Sequence, residues 1–380
     1  MQSCRRGAPA MPKVLCYLPG LEGGGAERTM VNLANELPTL GWQVKLAVGR
    51  AVGGARDWLA PHTDVVDLAV QRSRQAPLRL RRLIRDWQPD VVFSTLIDGN
   101  VAARVACLGL RHRPALVVRE TNSHQARGDL PGWLTRIAGW AYRGADHLVA
   151  LSSGVGQEMI HSYHLSPQRV TVIPNPVDTT SLRQQADAAR AAPPPWGADS
   201  SRPVVVGMGR LHRQKGFERL IEAVALLPAD QRPQVAILGE GSLRDALSAQ
   251  AQALGVDLLL PGFVRSPAAW LAHAAAFVLS SRWEGFGHVL VEAMACGAPV
   301  LSFDCPYGPR DIILSGQNGL LLPEGDCPAL ASALSGLLSS PEQQQGLRQG
   351  GYAAVPNYDL PAITGRYAAL LAATLNRKKR

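Results

Sequence analysis

Short apolar runs alternate along this chain with longer stretches in which apolar residues recur at helical spacing. That alternation predicts strand-helix-strand units and parallel sheets, an α/β class. In the first half the expected strands are Lys13–Leu18, Gln43–Val48, Asp90–Ser94, Ala115–Arg119, His147–Leu151 and Val170–Ile173. After the first of them, Met30, Leu33, Leu37 and Leu40 share one face of an expected helix Ala26–Leu40, and Gly41 sits where a C-terminal cap belongs.

Between Thr179 and Arg202 the chain becomes rich in Ala, Gln, Asp and Pro, including Pro193-Pro194-Pro195, and reads as a domain junction. A second alternating series follows, with strands expected at Pro203–Met208, Gln234–Leu238, Asp257–Leu260, Ala276–Leu279, Pro299–Phe303 and Gly319–Pro323. Two open α/β domains in tandem leave a cleft between the C-terminal edges of their sheets, the usual ligand position. The division expected is 1–180, 181–358 and a terminal segment 359–380. In that segment Ile363, Tyr367, Leu370, Leu371 and Thr374 lie near one face of a helix Leu360–Leu375, followed by the basic end Arg377-Lys378-Lys379-Arg380.

A length of 380 residues suits two cores on the rough scale of 100–200 residues per domain, and 46% hydrophobic with 18% charged residues excludes wholesale disorder. Cys4, Cys16, Cys107, Cys296, Cys305 and Cys327 form no C-x-x-C pair, so neither a disulfide framework nor a structural zinc site is expected. No apolar run approaches the roughly 18 residues of a membrane span. Arg5 and Arg6 precede a strand-like run rather than an export signal, and a reducing cytoplasm is the expected compartment. Net charge is +9, concentrated in the first half: residues 1–180 hold 21 Lys and Arg against 14 Asp and Glu, residues 181–380 hold 18 against 16. Phosphorylated ligands, anionic lipid and nucleic acid all fit such a bias.

The densest chemistry lies in Ser281-Arg282-Trp283-Glu284-Gly285-Phe286-Gly287-His288-Val289-Leu290-Val291-Glu292-Ala293-Met294-Ala295-Cys296-Gly297. A strand end, a glycine turn and a helix start leave backbone N–H groups free to hold an anion. Glu284 on the turn and Glu292 within the helix are placed to reach opposite ends of one ligand, since a carboxylate accepts from two vicinal hydroxyls. No D-x-D occurs, and Glu324-Gly325-Asp326 falls in a turn, so no metal is expected. His161 and His164 have no partnering cluster and read as a solvent-facing helix end.

This segment resembles the E-x7-E hallmark of retaining GT-B glycosyltransferases of family 4, and the likeness extends over nearly the whole chain. It is supported by Gly23-Gly24-Gly25-Ala26-Glu27-Arg28, Ile173-Pro174-Asn175-Pro176-Val177-Asp178, Gly209-Arg210 with Lys215-Gly216, Gly239-Glu240-Gly241 and Gly319-Leu320-Leu321-Leu322-Pro323. The resemblance implies two Rossmann-like domains facing across a cleft, with the C-terminal helix crossing back to the first. It implies no cofactor but a nucleotide sugar, UDP-linked, as co-substrate. Glu292 is expected to take the ribose; Glu284 with the Phe286–Gly287 backbone takes the donor sugar, and the His288, Val289 and Leu290 amides meet the diphosphate. Arg210 and Lys215 are the expected diphosphate cations, and with Glu284 the expected catalytic set. Fixed cations stabilise charge that develops on the departing phosphate. Gly24 and Gly25 are expected to approach from the first domain; Glu27 and Arg28 recur in the family without an assigned role here.

Many relatives carry a histidine after the fourth strand of the first domain, where this chain reads Val118-Arg119-Glu120-Thr121-Asn122-Ser123-His124. Arg119, Glu120, Asn122 and His124 are the acceptor-side candidates, the alternative being a loop without a catalytic part. The run Cys305-Pro306-Tyr307-Gly308-Pro309-Arg310-Asp311-Ile312-Ile313 is similar to bacterial enzymes that extend capsule, O-antigen or lipid-linked oligosaccharides from UDP-hexoses or UDP-N-acetylhexosamines. The acceptor implied is a saccharide, polyprenyl-diphosphate-linked, with same-face displacement as the mechanism.

Leu80, Leu83, Ile84 and Trp87 form an apolar stripe, while Arg79, Arg81, Arg82 and Arg85, with Arg72 and Arg74 ahead, occupy other faces. Either this helix rests on anionic phospholipid at the inner face of the plasma membrane, or its stripe packs on the sheet and the arginines are solvated. Two rivals stand beside the transferase reading. An anionic-surface or nucleic-acid binder fits the charge, although no stacking motif or finger spacing accompanies it and no nucleic-acid partner is expected. A sugar-nucleotide epimerase or phosphorylase keeps the same fold.

Overall fold

The computed structural model describes residues 11–70, 75–124, 128, 130–197 and 202–379. Among these, the first sheet contains β1 (Lys13–Leu18), β2 (Gln43–Val48), β3 (Val65–Asp67), β4 (Val91–Thr95), β5 (Ala115–Glu120), β6 (His147–Ala150) and β7 (Val170–Val172). Their order is β3-β2-β1-β4-β5-β6-β7, and every pairing is parallel. The second sheet contains β8 (Val204–Met208), β9 (Gln234–Leu238), β10 (Leu258–Gly262), β11 (Ala276–Leu279), β12 (Val300–Phe303) and β13 (Leu320–Leu322), ordered β10-β9-β8-β11-β12-β13 and again parallel. Chain order reverses between β1 and β4 in one sheet and between β8 and β11 in the other. Loops leaving adjacent strands in opposite directions open a crevice there.

Central strands are buried on both faces because helices cover both, which is why they read as unbroken apolar runs. β3 escapes the sequence reading: three partly exposed residues at a sheet edge carry no period. The first helix is shorter than expected, Gly25–Glu36, and continues as a tighter turn over Leu37–Leu40 whose second residue, Pro38, has no N–H to donate. Gly41, at φ 83°, caps that turn, and Leu40 faces water at 48% exposure instead of sharing the buried stripe.

The expected junction at Thr179–Arg202 opens instead with a helix, Thr179–Ala189, whose Ala186 is fully buried in the core of the second sheet. Its N-terminus is capped by Asp178, whose carboxylate accepts from the Ser181 amide at 3.0 Å. The last helix, Leu360–Lys379, runs back to the first domain. Ile363, Tyr367 and Leu371 are fully buried there with Val14, Val91 and Phe93, and the Phe93 and Tyr367 rings lie 5.5 Å apart. Each such side chain contributes about 1.5–3 kcal/mol by burial.

The arginine-rich helix spans Ala76–Trp87, with Leu80 and Ile84 packed against the sheet. Arg79 donates to the Leu68 carbonyl at 2.9 Å and Arg81 to that of Ala106 at 3.3 Å. The stripe is therefore committed to the core, and outward the helix shows Arg79, Arg81, Arg82 and Arg85 with a single exposed large apolar side chain, Leu78. Arg72 and Arg74 lie outside the described residues, as does Cys4. The other five cysteines are free and buried.

Candidate active site

The two crevices face each other and enclose a cleft of about 620 Å³. From the first domain it is lined by Gly23, Gly24, Gly25, Arg28 and Trp58, and from the second by Gly209, Arg210, His288, Val289 and Glu292 among others. Glycine is required where the loops after β8 and β9 meet. At Gly239, with φ 150°, a methyl group would fall 1.9 Å from the Gly209 carbonyl oxygen. Across the cleft, a methyl at Gly25 would lie 3.6 Å from His288 Cε1, so the walls stand near van der Waals distance at that point.

Gly287, at φ 89°, turns the chain from the β11 loop into the helix His288–Ala295. The Leu290 amide is spent on the Gly287 carbonyl at 2.9 Å. The His288 and Val289 amides precede it in the first turn, where backbone N–H groups have no intrahelical acceptor. Glu292, 9% exposed, looks across at Arg28, whose Nη1 is 3.9 Å from Glu292 Oε1 and whose guanidinium stands 5.6 Å from the Trp58 ring.

Lys215 and Glu284 were expected as separate ligand-binding groups; they pair with one another. Lys215 Nζ donates to Glu284 Oε1 at 2.6 Å, and Ser281 Oγ donates to the same oxygen at 2.7 Å. Neither residue is among those lining the cleft, but a methyl at Gly209 on its wall would lie 2.9 Å from Lys215 Cε. The pair therefore forms a layer just beneath that wall. Phe286, Gly287 and Leu290 were expected to act through their backbone, and no side chain of theirs lines the cleft. Phe286 is 3% exposed with its ring 5.7 Å from Tyr358, Leu290 is fully buried, and Gly287 shapes the turn. Of the expected donor residues, Gly24, Gly25, Arg210, His288, Val289 and Glu292 share the cleft.

The acceptor-side candidates divide. Arg119 is fully buried: its guanidinium donates to Tyr367 Oη and Thr95 Oγ1, each at 3.1 Å, and to Asn175 Oδ1. It ties the terminal helix to the first sheet and has no access to a substrate. Glu120 is buried too, accepting from the Tyr142 hydroxyl at 2.5 Å and the Thr121 amide at 2.8 Å, with His124 Nε2 at 3.1 Å. Burial would raise the Glu120 carboxyl; hydrogen bonding and charge from His124, then the Tyr142 hydroxyl, outweigh it and hold it below the ordinary carboxylate range. His124 lines a separate depression on the first domain with Tyr163 and Glu158. Asn122 alone stands at the domain boundary: a methyl at Gly285 would fall 1.8 Å from the Thr121 carbonyl oxygen and 3.3 Å from Asn122 Oδ1. His161 caps nothing in the cleft; its ring bonds the Gln157 carbonyl at 2.8 Å, one turn back on its own helix.

Residues 23–181 match the profile described as Glycosyltransferase Family 4, and residues 189–354 that described as Glycosyl transferases group 1. A lipopolysaccharide core biosynthesis glycosyltransferase from Rhizobium meliloti is 30% identical over 356 residues, covering 92% of this chain and 96% of its own. The chain belongs to glycosyltransferase family 4. A Campylobacter jejuni relative, N-acetylgalactosamine-N,N'-diacetylbacillosaminyl-diphospho-undecaprenol 4-alpha-N-acetylgalactosaminyltransferase, is 25% identical over 82% of this chain and 86% of its own. Among solved structures, Anabaena HepE in complex with UDP superposes with a TM-score of 0.81 at 21% identity, covering 96% of this chain and all of that one. The fold is GT-B.

Sequence reasoning about this transferase left Arg28 without a role and did not single out Trp58. The one is placed by the helix after β1, the other by the β2–β3 connection, and no local pattern says that the two meet. Asn175 was quoted only as part of a motif. It is 8% exposed, its Oδ1 accepts from Thr29 Oγ1 at 3.1 Å and from Arg119, and it stands at the floor joining the two halves. Among the described residues, no group of three or more His, Cys, Asp or Glu side chains is arranged to hold a metal ion.

Proposed function

We propose that the transferase moves a hexose or N-acetylhexosamine from a UDP-sugar to a hydroxyl of a lipid-linked saccharide, with retention of anomeric configuration and without a metal. The observation that carries this reading is the convergence of Arg210, the helix start at His288 and Val289, and Glu292 on one cleft between two switch points. A diphosphate fits between the guanidinium and the helix start. Glu292 is placed to accept from a ribose diol, with Arg28 beside it. As the bond between the sugar carbon and the phosphate oxygen breaks, negative charge grows on the terminal phosphate, where fixed donors stabilise it. The acceptor oxygen bonds to the same face of that carbon, and its proton passes to the departing phosphate. Lys215 holds Glu284 and the turn that carries the helix start. The lipid-linked acceptor is supported by the names of the Rhizobium and Campylobacter relatives and the uridine nucleotide by HepE, and an acceptor of that kind fits work at the cytoplasmic face of a bacterial membrane.

The test supplies purified protein with UDP-sugars and a lipid-linked saccharide. UDP release that depends on acceptor, with an α-anomeric product from an α-linked donor, is expected. Arg210→Ala should lose about a hundredfold or more in kcat/KM, the scale of one lost transition-state donor, and Glu292→Ala, which removes an acceptor for the ribose hydroxyls, should lower kcat/KM chiefly by raising the donor KM. Unchanged rates remove those assignments, and conversion of donor without acceptor reassigns the chemistry to epimerisation.

A further inference from the structure

The helix Gly132–Arg143 turns Ala138, Ala141 and Tyr142 into the core of the first domain. Its outward face carries Trp133 at 63% exposure, Ile137 at 40% and Trp140 at 39%, an i, i+4, i+7 stripe. Val105 and Leu108, at the end of the neighbouring helix Ile97–Ala106, are exposed as well. Large apolar side chains grouped on one surface mark an interaction site.

The surroundings of the stripe are cationic. Arg136 and Arg143 are exposed on the same helix, which holds no acidic residue. The Arg104 guanidinium lies 5.3 Å from the Trp140 ring centroid, and Arg111 follows Leu108 in the exposed connection. Arg113 is the exception, paired with Asp146 at 3.3 Å. Arg136 and Arg143 also line a depression of about 450 Å³ beside the stripe, together with His164. Among the described residues the tryptophans are bounded by arginines, and the one carboxylate lining the depression, Glu158, is buried, which matches an interface that is apolar below and negative at its surface. The stripe is short and no helix among the described residues is long and apolar enough to cross a membrane, so the geometry is that of a face lying on a bilayer.

We infer that Trp133, Ile137 and Trp140, ringed by Arg104, Arg111, Arg136 and Arg143, dock the transferase on an anionic phospholipid bilayer. The docking surface is thus on this helix and not on Ala76–Trp87, whose apolar face is already buried. The inference gives the lipid-linked acceptor reading its surface, but it rests on exposure and charge and survives failure of the donor assignment.

The experiment is flotation of the full chain with phosphatidylcholine vesicles, with and without phosphatidylglycerol. Binding is expected only to the anionic vesicles and should weaken as salt rises. Replacing Trp133, Ile137 and Trp140 together by serine should lower partitioning at least tenfold. Arg136→Gln and Arg143→Gln should each lower it about fivefold, the scale of one basic residue near such a surface. Leu78→Ser with Arg82→Gln, on the other helix, should leave it unchanged. UDP-induced thermal stabilisation of the same samples reports folding and the donor site independently. Equal binding by the triple variant overturns the inference, as does failure of the wild type to bind anionic vesicles. A concentration-dependent dimer that dissociates in the triple variant also overturns it, assigning the stripe to a second copy.

Discussion

Lys215 Nζ and Glu284 Oε1 stand 2.6 Å apart beneath the wall of the cleft, with side chains 16% and 9% exposed. The two most conspicuous charges of the second domain thus answer each other before any ligand arrives. Removing the lysine leaves a carboxylate with Ser281 as its partner in a largely dry setting, a change that costs about 3 kcal/mol. Lys215→Met should therefore lower stability in urea unfolding and lose activity. Lys215→Met combined with Glu284→Gln should recover much of the stability and none of the activity. Recovery of both would make the pair purely structural.

Gly285 tests the domain boundary. Its α-carbon has room for no methyl group, because the Thr121 carbonyl of the other domain occupies that position. Gly285→Ala should hold the domains apart by a fraction of an ångström to an ångström. Displacements of that order between reacting groups cost about a hundredfold in rate. A fall of that order in kcat/KM is expected while the melting temperature shifts little; a variant as fast as the parent would show that the two loops need not touch.

Both sheets and the helix start at His288 were legible in the sequence because they rest on short-range signals: apolar runs, a glycine turn, and an E-x7-E spacing. What was not legible depends on partners far apart in the chain. Lys215 and Glu284 are 69 positions apart and were assigned to a ligand because nothing local says they meet. Arg119 and Tyr367 are 248 apart, and Arg119 stood among the acceptor-side candidates because it lies in the segment where relatives carry a histidine. β3 and the exposed Leu40 were missed for a different reason: an edge strand of three residues and one proline override a periodic pattern.

Arg119 is predicted to matter for stability and not for the acceptor. Arg119→Met strips Thr95, Asn175 and Tyr367 of a shared donor in the core; a loss of about 3–5 kcal/mol is expected. Tyr367→Phe removes one hydrogen bond and should cost about 1 kcal/mol. Acceptor KM should be unaffected in Tyr367→Phe, which denaturant titration and steady-state kinetics together will show. A raised acceptor KM with unaltered stability would return Arg119 to the substrate side.

His147, on β6, is 1% exposed and bonds Thr171 Oγ1 at 2.8 Å. Burial, then the positive charges of Arg377 and Arg169, push its imidazole from 6.5 down to about 4. The folded state therefore refuses a proton that the unfolded chain binds below pH 6.5, so this residue makes stability fall as pH drops from 6.5 towards 4. The slope is at most about 1.4 kcal/mol per pH unit, and the full loss is about 3 kcal/mol. Melting curves of the parent and of His147→Gln across this window should converge as pH falls, the variant having lost the proton-linked part. Parallel curves would mean that His147 takes up its proton in the folded protein as readily as in the unfolded chain.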